Sequence, residues 1–512
     1  MNTLEITERA GAKARVTSVC CDTAITHDVS EEFVLPDYVN EVRRVLMTRA
    51  QVLPESKYIA DSQNGTRLDF GGTVTYFVIY TDDEGKLCST PLSSNYEAST
   101  ILKSTPSEVL IDTSPDSVTT RVSAPRRLTI KTRLKSKIFG YEEKEICESI
   151  LQRSSADELF IERLYEENCS LSASTASLQG IKISDKFDTG SLSSLRPVLC
   201  DAQAILKDVK PSNGSVSCHG EATVKCICES EGELITLSKV LPIYEEVGLD
   251  EVCPSDTVKA TARCVSLSIS SEEHENGSEL FFDMSCEIDC EAIRNSDITL
   301  PKDCYSTKNA METKHRELEL YSLVKGGNAS FSLNESVKRK SKDKLEIIDT
   351  ILEPVFEKCD FKGERACFIG RLCTSIIAKG EGESGEYLCE SYDVPFKYEL
   401  ELARQVQGPI VRGNFSASLV NAKYSDDKLL LNAEIYPSVM VLEKSSTTIL
   451  DTATLKKDTE FKKDASCVRV FFPNDGDVLW EIAKKYHTTR DKIMEQNSLD
   501  SDSLEGVKSI II

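Results

Sequence analysis

Three stretches of the chain share one alternation of apolar and polar positions, and each begins at a glycine: Gly72, Gly220 or Gly370. At even offsets from that glycine the residues are mostly apolar, namely Val74, Tyr76, Val78 and Tyr80, then Ala222, Val224, Cys226 and Cys228, then Leu372, Thr374, Ile376 and Ala378. The odd offsets of the second and third copies are mixed or polar. Because successive side chains of a strand point to opposite faces, this period of two predicts half-buried strands of antiparallel sheets.

Each of these strands lies inside a glycine pattern that recurs along the chain. A first glycine precedes the middle one by six or seven residues, at Gly65, Gly214 and Gly363, and a third follows it after 12 to 15 residues, at Gly85, Gly232 and Gly385. Successive middle glycines are 148 and 150 residues apart. Since glycine readily adopts the positive φ of tight turns, the third glycine of each copy predicts a hairpin turn after the strand. The recurrence predicts tandem units of one architecture.

The length of the chain agrees with several units, because 512 residues exceed what one hydrophobic core organises. We place the units at residues 1–150, 151–312 and 313–462, and a smaller domain at residues 463–512. The predicted fold class is therefore mainly β: three tandem β-sandwich or barrel-like units, followed by a small βααβ domain.

The C-terminal segment carries a helical period in place of the alternation. Its apolar residues recur at i, i+3, i+4 and i+7: Leu479, Ile482, Ala483 and Tyr486. This stripe predicts an amphipathic helix for which Asp477 is a good N-cap. A second helix that buries Ile493 and Met494 follows, and a short β run stands at each end of the segment.

Composition and charge narrow the classes of function. The chain holds 61 Lys and Arg against 84 Asp and Glu, a net charge of -23. Phosphate backbones and anionic lipid repel such a chain, so we do not expect nucleic acid as its main partner. Its N-terminus lacks a secretory signal pattern, and no apolar run reaches 18 residues. The sequence therefore predicts a cytoplasmic protein without membrane insertion.

The 19 cysteines are expected to be reduced and mostly buried as small hydrophobes. Cys226 and Cys228 fall on the predicted inward face, where the other two copies hold residues that cannot bind metal. Cys286 and Cys290 have no C-x-x-C pair beside them, so we expect no zinc site.

The sequence also carries no recognisable catalytic motif. Its five histidines are dispersed without an H-E-x-x-H pattern, and neither a nucleophile elbow nor a phosphate loop is present. Gly380 to Gly385 superficially suggests a phosphate cradle, but its two glutamates would repel phosphate, so a hairpin tip is the better account. We therefore expect no enzyme, no catalytic residue and no cofactor.

Two basic stretches interrupt the acidic background. The first runs from Arg121 to Lys137, with seven Lys and Arg and no acid, and the second is Lys338-Arg339-Lys340 followed by Lys342 and Lys344. The period of two in the first stretch predicts a strand with the charges on one exposed face. We expect a solvated or charge-protected edge strand, and the alternative is a docking surface for an acidic protein.

The C-terminal segment resembles the LysM family. The run from Gly476 to Ala483 matches its G-D-T-L-W-x-I-A signature, Asn497-Ser498-Leu499 matches its N-x-L turn, and the run from Gly506 to Ile511 matches its last strand. LysM domains bind N-acetylglucosamine polymers such as peptidoglycan and chitin in a shallow groove between two loops. The resemblance implies one groove wall at Gly476, Asp477, Val478 and Leu479, and the other at Asn497, Ser498 and Leu499.

This sequence departs from the family at Val478, where LysM domains usually have threonine, and at Ser509, where a buried leucine is usual. The valine lacks one hydroxyl that could contact a sugar.

The glycine repeats, followed by one C-terminal LysM segment, resemble the SPOCS-repeat proteins of endospore-forming Firmicutes. That resemblance implies a non-enzymatic spore coat morphogenetic scaffold on the forespore surface, in the mother-cell cytoplasm. It also implies that the LysM segment binds a SpoIVA-like coat assembly protein. The alternative is a protein of the cortex or cell wall that binds peptidoglycan or another N-acetylglucosamine polymer through the LysM groove.

Overall fold

The structure is a computed structural model that describes residues 13–62, 65–147, 160–190, 192, 194–274, 277–341, 343–381, 385–461 and 468–512. Strands dominate, and the two helices are short and close to the C-terminus. This confirms the predicted fold class. Two of the predicted domain boundaries, near residues 150 and 462, fall outside the described residues.

The six strands of the first unit form two antiparallel layers of three strands each. Its strands are β1 (Lys13–Val34), β2 (Arg44–Ser62), β3 (Gly65–Thr81), β4 (Leu87–Leu102), β5 (Glu108–Ala124) and β6 (Arg127–Cys147). One sheet has the order β1-β6-β5 and the other the order β2-β3-β4. Both contribute to one core, in which Val74 and Tyr76 of β3 lie with Leu128 and Ile130 of β6.

The strands of the second unit are β7 (Ile161–Lys186), β8 (Arg196–Ser212), β9 (Ser215–Ser230), β10 (Glu233–Gly248), β11 (Thr257–His274) and β12 (Gly277–Ser306). They repeat the arrangement with the orders β7-β12-β11 and β8-β9-β10. β7 also pairs antiparallel with β1 at Thr17 and Leu171, so the first layers of the two units form one six-stranded sheet. The core between the layers of the second unit includes Cys226 and Cys228, both fully buried as predicted. Among the described residues, no group of three or more His, Cys, Asp or Glu is placed to hold a metal.

In the third unit two strands replace the first strand of the other units. Its strands are β13 (Asn309–Gly327), β14 (Phe331–Lys338), β15 (Leu345–Lys362), β16 (Arg365–Gly380), β17 (Tyr387–Glu401), β18 (Pro409–Ser425) and β19 (Lys428–Glu460). β13 and β14 follow one another along one edge of β19, and β18 pairs with the other edge. The second sheet has the order β15-β16-β17.

The predicted inward face is confirmed in all three units. Every residue at an even offset from the middle glycine, from Val74 to Tyr80, from Ala222 to Cys228 and from Leu372 to Ala378, is at most 1% exposed. The period of two therefore identifies the core face of β3, β9 and β16.

The hairpin prediction holds in the first two units. Gly85 and Gly232 adopt φ of +79° and +88° between paired strands, a conformation that favours glycine. In the third unit the predicted tip includes residues 382–384, which lie outside the described residues.

The middle glycine of each unit lies opposite a β-bulge in the preceding strand. The extra residues are Glu55, Lys207 and Glu357. A Cβ atom would approach a backbone carbonyl oxygen of that strand to 2.1 Å at Gly72, 2.1 Å at Gly220 and 2.5 Å at Gly370. These distances exclude any side chain, so the bulge accounts for the recurring glycine.

The three units meet at an apolar cluster formed by the face that was predicted to be mixed or polar. Ile79, Ile227 and Ile377 lie seven residues after their middle glycines, and each is at most 1% exposed. Residues of the neighbouring strands complete the cluster: Leu46, Met47, Val198, Leu199, Ile348 and Ile351. The end of each strand is therefore buried on both faces, and the half-buried interpretation is wrong there because the neighbouring units cover the second face.

Ion pairs accompany this apolar contact. Arg49 of the first unit lies 2.5 Å from the Asp201 carboxylate of the second and 2.9 Å from the Glu353 carboxylate of the third. Burial would lower the pKa of Arg49, but the two carboxylates outweigh it and the pKa is raised. Lys225 of the second unit also pairs with the buried Asp349 of the third. One guanidinium thus links all three units.

The stretch from Arg121 to Lys137 runs from the end of β5 through a turn into the first half of β6, which lies between β1 and β5. Lys131, Arg133 and Lys135 are exposed, whereas the alternating residues Leu128, Ile130 and Leu134 are buried. The predicted face is therefore confirmed, but the edge position is wrong, because β6 pairs with a neighbour on each side.

We predict that Gly220→Ala destabilises the protein by about 1–3 kcal/mol, because the new methyl group overlaps the Ile205 carbonyl oxygen. The matched control is Gly248→Ala in β10, where a Cβ atom meets nothing within 4 Å. Urea unfolding of the full chain measures both variants. Equal stability of the two would contradict the role assigned to the bulge.

Candidate functional site

The C-terminal module has the predicted βααβ order. Its elements are β20 (Val470–Phe471), α1 (Leu479–Lys485), α2 (Arg490–Asn497) and β21 (Ile510–Ile511), and the two strands pair antiparallel. The apolar stripe of α1 packs against α2 and β21 in a small core: Leu479, Ile482, Ala483, Ile493 and Ile510. The Met494 side chain of α2 is half-buried and packs against this core.

The first predicted groove wall is the loop that leads into α1. Gly476 is exposed with φ of +94°, and the Val478 side chain is 55% exposed. Leu479 is fully buried in the core, so its side chain does not line the surface. Asp477 accepts a hydrogen bond from the Asn474 backbone N–H at 2.8 Å, and Val478 occupies the N-cap position. The predicted N-cap role of Asp477 is therefore wrong, because its carboxylate closes the loop instead.

The second predicted wall follows α2, and Asn497 holds it in place. The Asn497 amide donates to the carbonyl oxygens of Ile493 at 2.8 Å and Ile511 at 2.7 Å, and accepts from the Ile511 N–H at 2.7 Å. Ser498 is exposed in the left-handed conformation, with φ of +51°, whereas Leu499 is half-buried against the core. Asn497 thus positions the predicted wall, and the Ser498 side chain is exposed to solvent.

The module also exposes an apolar strip that sequence reasoning missed. Val468, Val470 and Phe472 alternate along β20 and its flanks, and Phe472 is 69% exposed. Ile511 of β21 pairs directly with Val470 and is exposed as well. The alternation of Val468, Arg469 and Val470 in the sequence was the signal that could have indicated this strip.

The module docks on the second unit through α1 and the loop that follows it. Asp303, near the end of β12, accepts a hydrogen bond from the Trp480 indole at 2.9 Å and pairs with the Lys484 ammonium at 2.5 Å. Tyr305 packs edge-on against the Trp480 ring with centroids 4.8 Å apart, and its hydroxyl donates to the Thr488 carbonyl at 2.7 Å. Trp480 therefore lies in this docking interface.

His487 forms a second docking contact. Its ring stacks on Phe461, which follows β19, with centroids 3.5 Å apart and planes inclined by 9°. Burial of the imidazole lowers the pKa of His487 below its usual range. The neutral ring is therefore the form that the docked module favours.

Comparison with known families matches residues 474–512 to the LysM domain. The chain therefore carries a LysM domain at its C-terminus, as the sequence had indicated, and LysM domains bind N-acetylglucosamine-containing glycans. No curated protein and no solved structure matches the chain. Within the described ranges, neither helix is long and apolar enough to span a membrane.

We predict that Asp303→Ala loosens the docked module, because the Trp480 indole and the Lys484 ammonium lose their common acceptor. An unpaired buried polar group costs about 1–3 kcal/mol. Trp480 is the only tryptophan, so its emission should shift to longer wavelength as the ring meets water. Asp297→Ala, at an exposed position of the same strand, is the control and should leave the spectrum unchanged. Unchanged emission from Asp303→Ala would refute this docking role.

We also predict that acid weakens the docking. Because the pKa of His487 is lowered in the folded protein, the unfolded chain binds the proton more readily. The contribution of His487 to stability is therefore complete above its unfolded pKa of 6.5 and is lost as the pH falls below that value. Thermal unfolding followed by Trp480 emission between pH 7.5 and pH 5 should show this loss.

The control is His487→Asn. Asparagine tolerates the positive φ of +55° at this position and has no titratable group. This variant should show a smaller loss of stability on acidification. An identical pH profile for variant and parent would exclude His487 as the source.

Proposed function

We propose that this protein is a non-enzymatic binding protein that holds N-acetylglucosamine-containing glycan, such as peptidoglycan, through its LysM domain. The three β units serve as the scaffold that carries the domain. The observation that supports this proposal most is the orientation in which the LysM domain docks on the second unit. Trp480 and Lys484 face the second unit, whereas Gly476, Val478 and Ser498 of the two groove walls are exposed to solvent.

The local structure of the walls suits such a ligand. Asp477 closes one loop through Asn474, and Asn497 ties the other to β21, so both walls are ordered before a ligand arrives. Preorganised loops reduce the entropic cost of binding. Backbone amides and the Ser498 hydroxyl can hydrogen-bond N-acetyl and hydroxyl groups of the glycan, and the exposed Val478 side chain offers an apolar contact.

Sedimentation of the full chain with insoluble peptidoglycan and with chitin tests this proposal. We expect retention on one or both polymers, with release by soluble chitin oligomers. Phe472→Ser is the control, because it alters the apolar strip and leaves both groove walls intact. Failure of the parent protein to bind either polymer would overturn the glycan proposal.

The apolar strip favours a second candidate, in which the LysM domain binds a protein. Exposed apolar patches mark interaction surfaces. Val470 pairs with Ile511 across the two strands, Val468 and Phe472 lie two residues to either side of Val470, and all four are exposed. In this candidate the chain is a spore coat scaffold of the mother-cell cytoplasm that binds a SpoIVA-like assembly protein at the forespore surface.

A pull-down with purified SpoIVA separates the two candidates. The protein candidate predicts capture that Phe472→Ser weakens and that chitin oligomers do not displace. Retention on glycan without capture of SpoIVA would overturn it.

We predict that Val478→Thr strengthens glycan binding. The substitution supplies the hydroxyl usual in the family at an exposed position of the groove wall, and one hydrogen bond contributes about 0.5–1.5 kcal/mol. Since Val478 is also the N-cap of α1 and makes no side-chain cap, threonine should stabilise the helix by a similar amount. Titration of chitin oligomers by calorimetry, with Phe472→Ser as the control, measures the first effect. Weaker binding by Val478→Thr would contradict the assigned wall.

A further inference from the structure

A cavity of about 810 Å³ lies where the three units meet, away from the LysM domain. Its wall includes β1, β2, β5 and β6 of the first unit, β7, β11 and β12 of the second, and β15 and β18 of the third. This volume falls in the range of about 300–1,000 Å³ that is typical of small-molecule sites. The proposed LysM function makes no use of this cavity.

The wall of the cavity is strongly polar but almost balanced in charge. It carries seven carboxylates and six cationic side chains. Several of these groups already pair with one another: Arg263 lies 3.0 Å from Glu287 and 3.1 Å from Asp289, and Lys57 lies 3.4 Å from Glu108. A ligand with a large net charge therefore gains little overall attraction from this wall.

One carboxylate oxygen at the wall has no partner. Glu291 is 4% exposed, and its Oε1 accepts a hydrogen bond from the Tyr141 hydroxyl at 2.7 Å and pairs with Arg412. Its Oε2 is buried without a hydrogen-bond partner among the described residues. A buried carboxylate oxygen normally has a partner, so this one is an unsatisfied acceptor on a residue of the cavity wall.

An unpaired cation lies directly beside it. Lys259 of β11 is the cross-strand neighbour of Glu291, yet it forms no ion pair or hydrogen bond within the described part of the chain. Burial lowers the pKa of Lys259, and Arg412 lowers it further, against the effect of Glu291, Asp112 and Asp289. Two residues of the cavity wall on adjacent strands therefore hold an unused donor and an unused acceptor.

We propose that this cavity binds a small neutral polyhydroxylated molecule, a mono- or disaccharide. A hydroxyl group donates and accepts at once, so neighbouring sugar hydroxyls can donate to Glu291 and accept from Lys259. A neutral ligand also matches the balanced wall. The half-buried Phe356 lies in the same wall and offers apolar surface to the C–H face of a sugar ring. This site is separate from the LysM groove and does not depend on the proposed function.

Ligand-observed NMR on the full chain tests the proposal with glucose, trehalose and N-acetylglucosamine as neutral probes. Inorganic phosphate and glycine serve as the anionic and zwitterionic probes. Lys259→Met removes the donor and keeps the length of the side chain, and no ion pair is lost with it. We expect saturable binding of at least one sugar and a loss of affinity of about tenfold in Lys259→Met.

Lys423→Met, at an exposed position of β18 beyond the cavity, is the matched control and should bind like the parent. Glu291→Gln, which removes the charge but keeps an acceptor oxygen, gives a second variant, and circular dichroism checks that each variant is folded. Absence of sugar binding, or sugar binding that Lys259→Met leaves unchanged, would overturn the proposal. Binding of phosphate or glycine alone, lost in Lys259→Met, would overturn it as well.

Discussion

The relation of the three units depends on apolar contacts that all three share, among them the contact of Ile79, Ile227 and Ile377. Each unit buries one face of its repeated strand in its own sandwich, and at the end of the strand it buries the other face against the neighbouring units. Units joined only through their chain connections would move independently. The shared apolar cluster holds them in one arrangement, and the cavity between them exists because of that arrangement.

The polar contacts at the junction restrict how the units can be oriented relative to one another. Arg49 reaches carboxylates of both other units, and Arg412 of the third unit pairs with Glu291 of the second. Because desolvation offsets much of the attraction in buried ion pairs, such pairs contribute little net stability. Removing one partner is costly, however, since the other charge stays buried. The ion pairs therefore select one packing of the units more than they strengthen it.

A polar contact and an apolar contact also hold the LysM domain against the second unit. Asp303 receives the Trp480 indole and the Lys484 ammonium, and Tyr305 covers the indole ring. These contacts fix which side of the domain faces the second unit. The loops at Val478 and Ser498 stay exposed to solvent in this arrangement. Under the proposed function, the glycan meets the domain on this exposed side.

The sequence alone determined the core faces of β3, β9 and β16, the number of repeats and the order of the LysM elements, because period and spacing report local structure. The sequence also indicated the two predicted groove loops. It could not show that Leu479 is buried or that the Asn497 amide hydrogen-bonds to β21. Only the tertiary structure decided that the Ile79 face is buried, that a bulge requires Gly220, and that Lys259 meets Glu291 at a cavity. These features depend on residues far apart in the chain. A local pattern of apolar and polar residues does not indicate which distant surface will cover a given face.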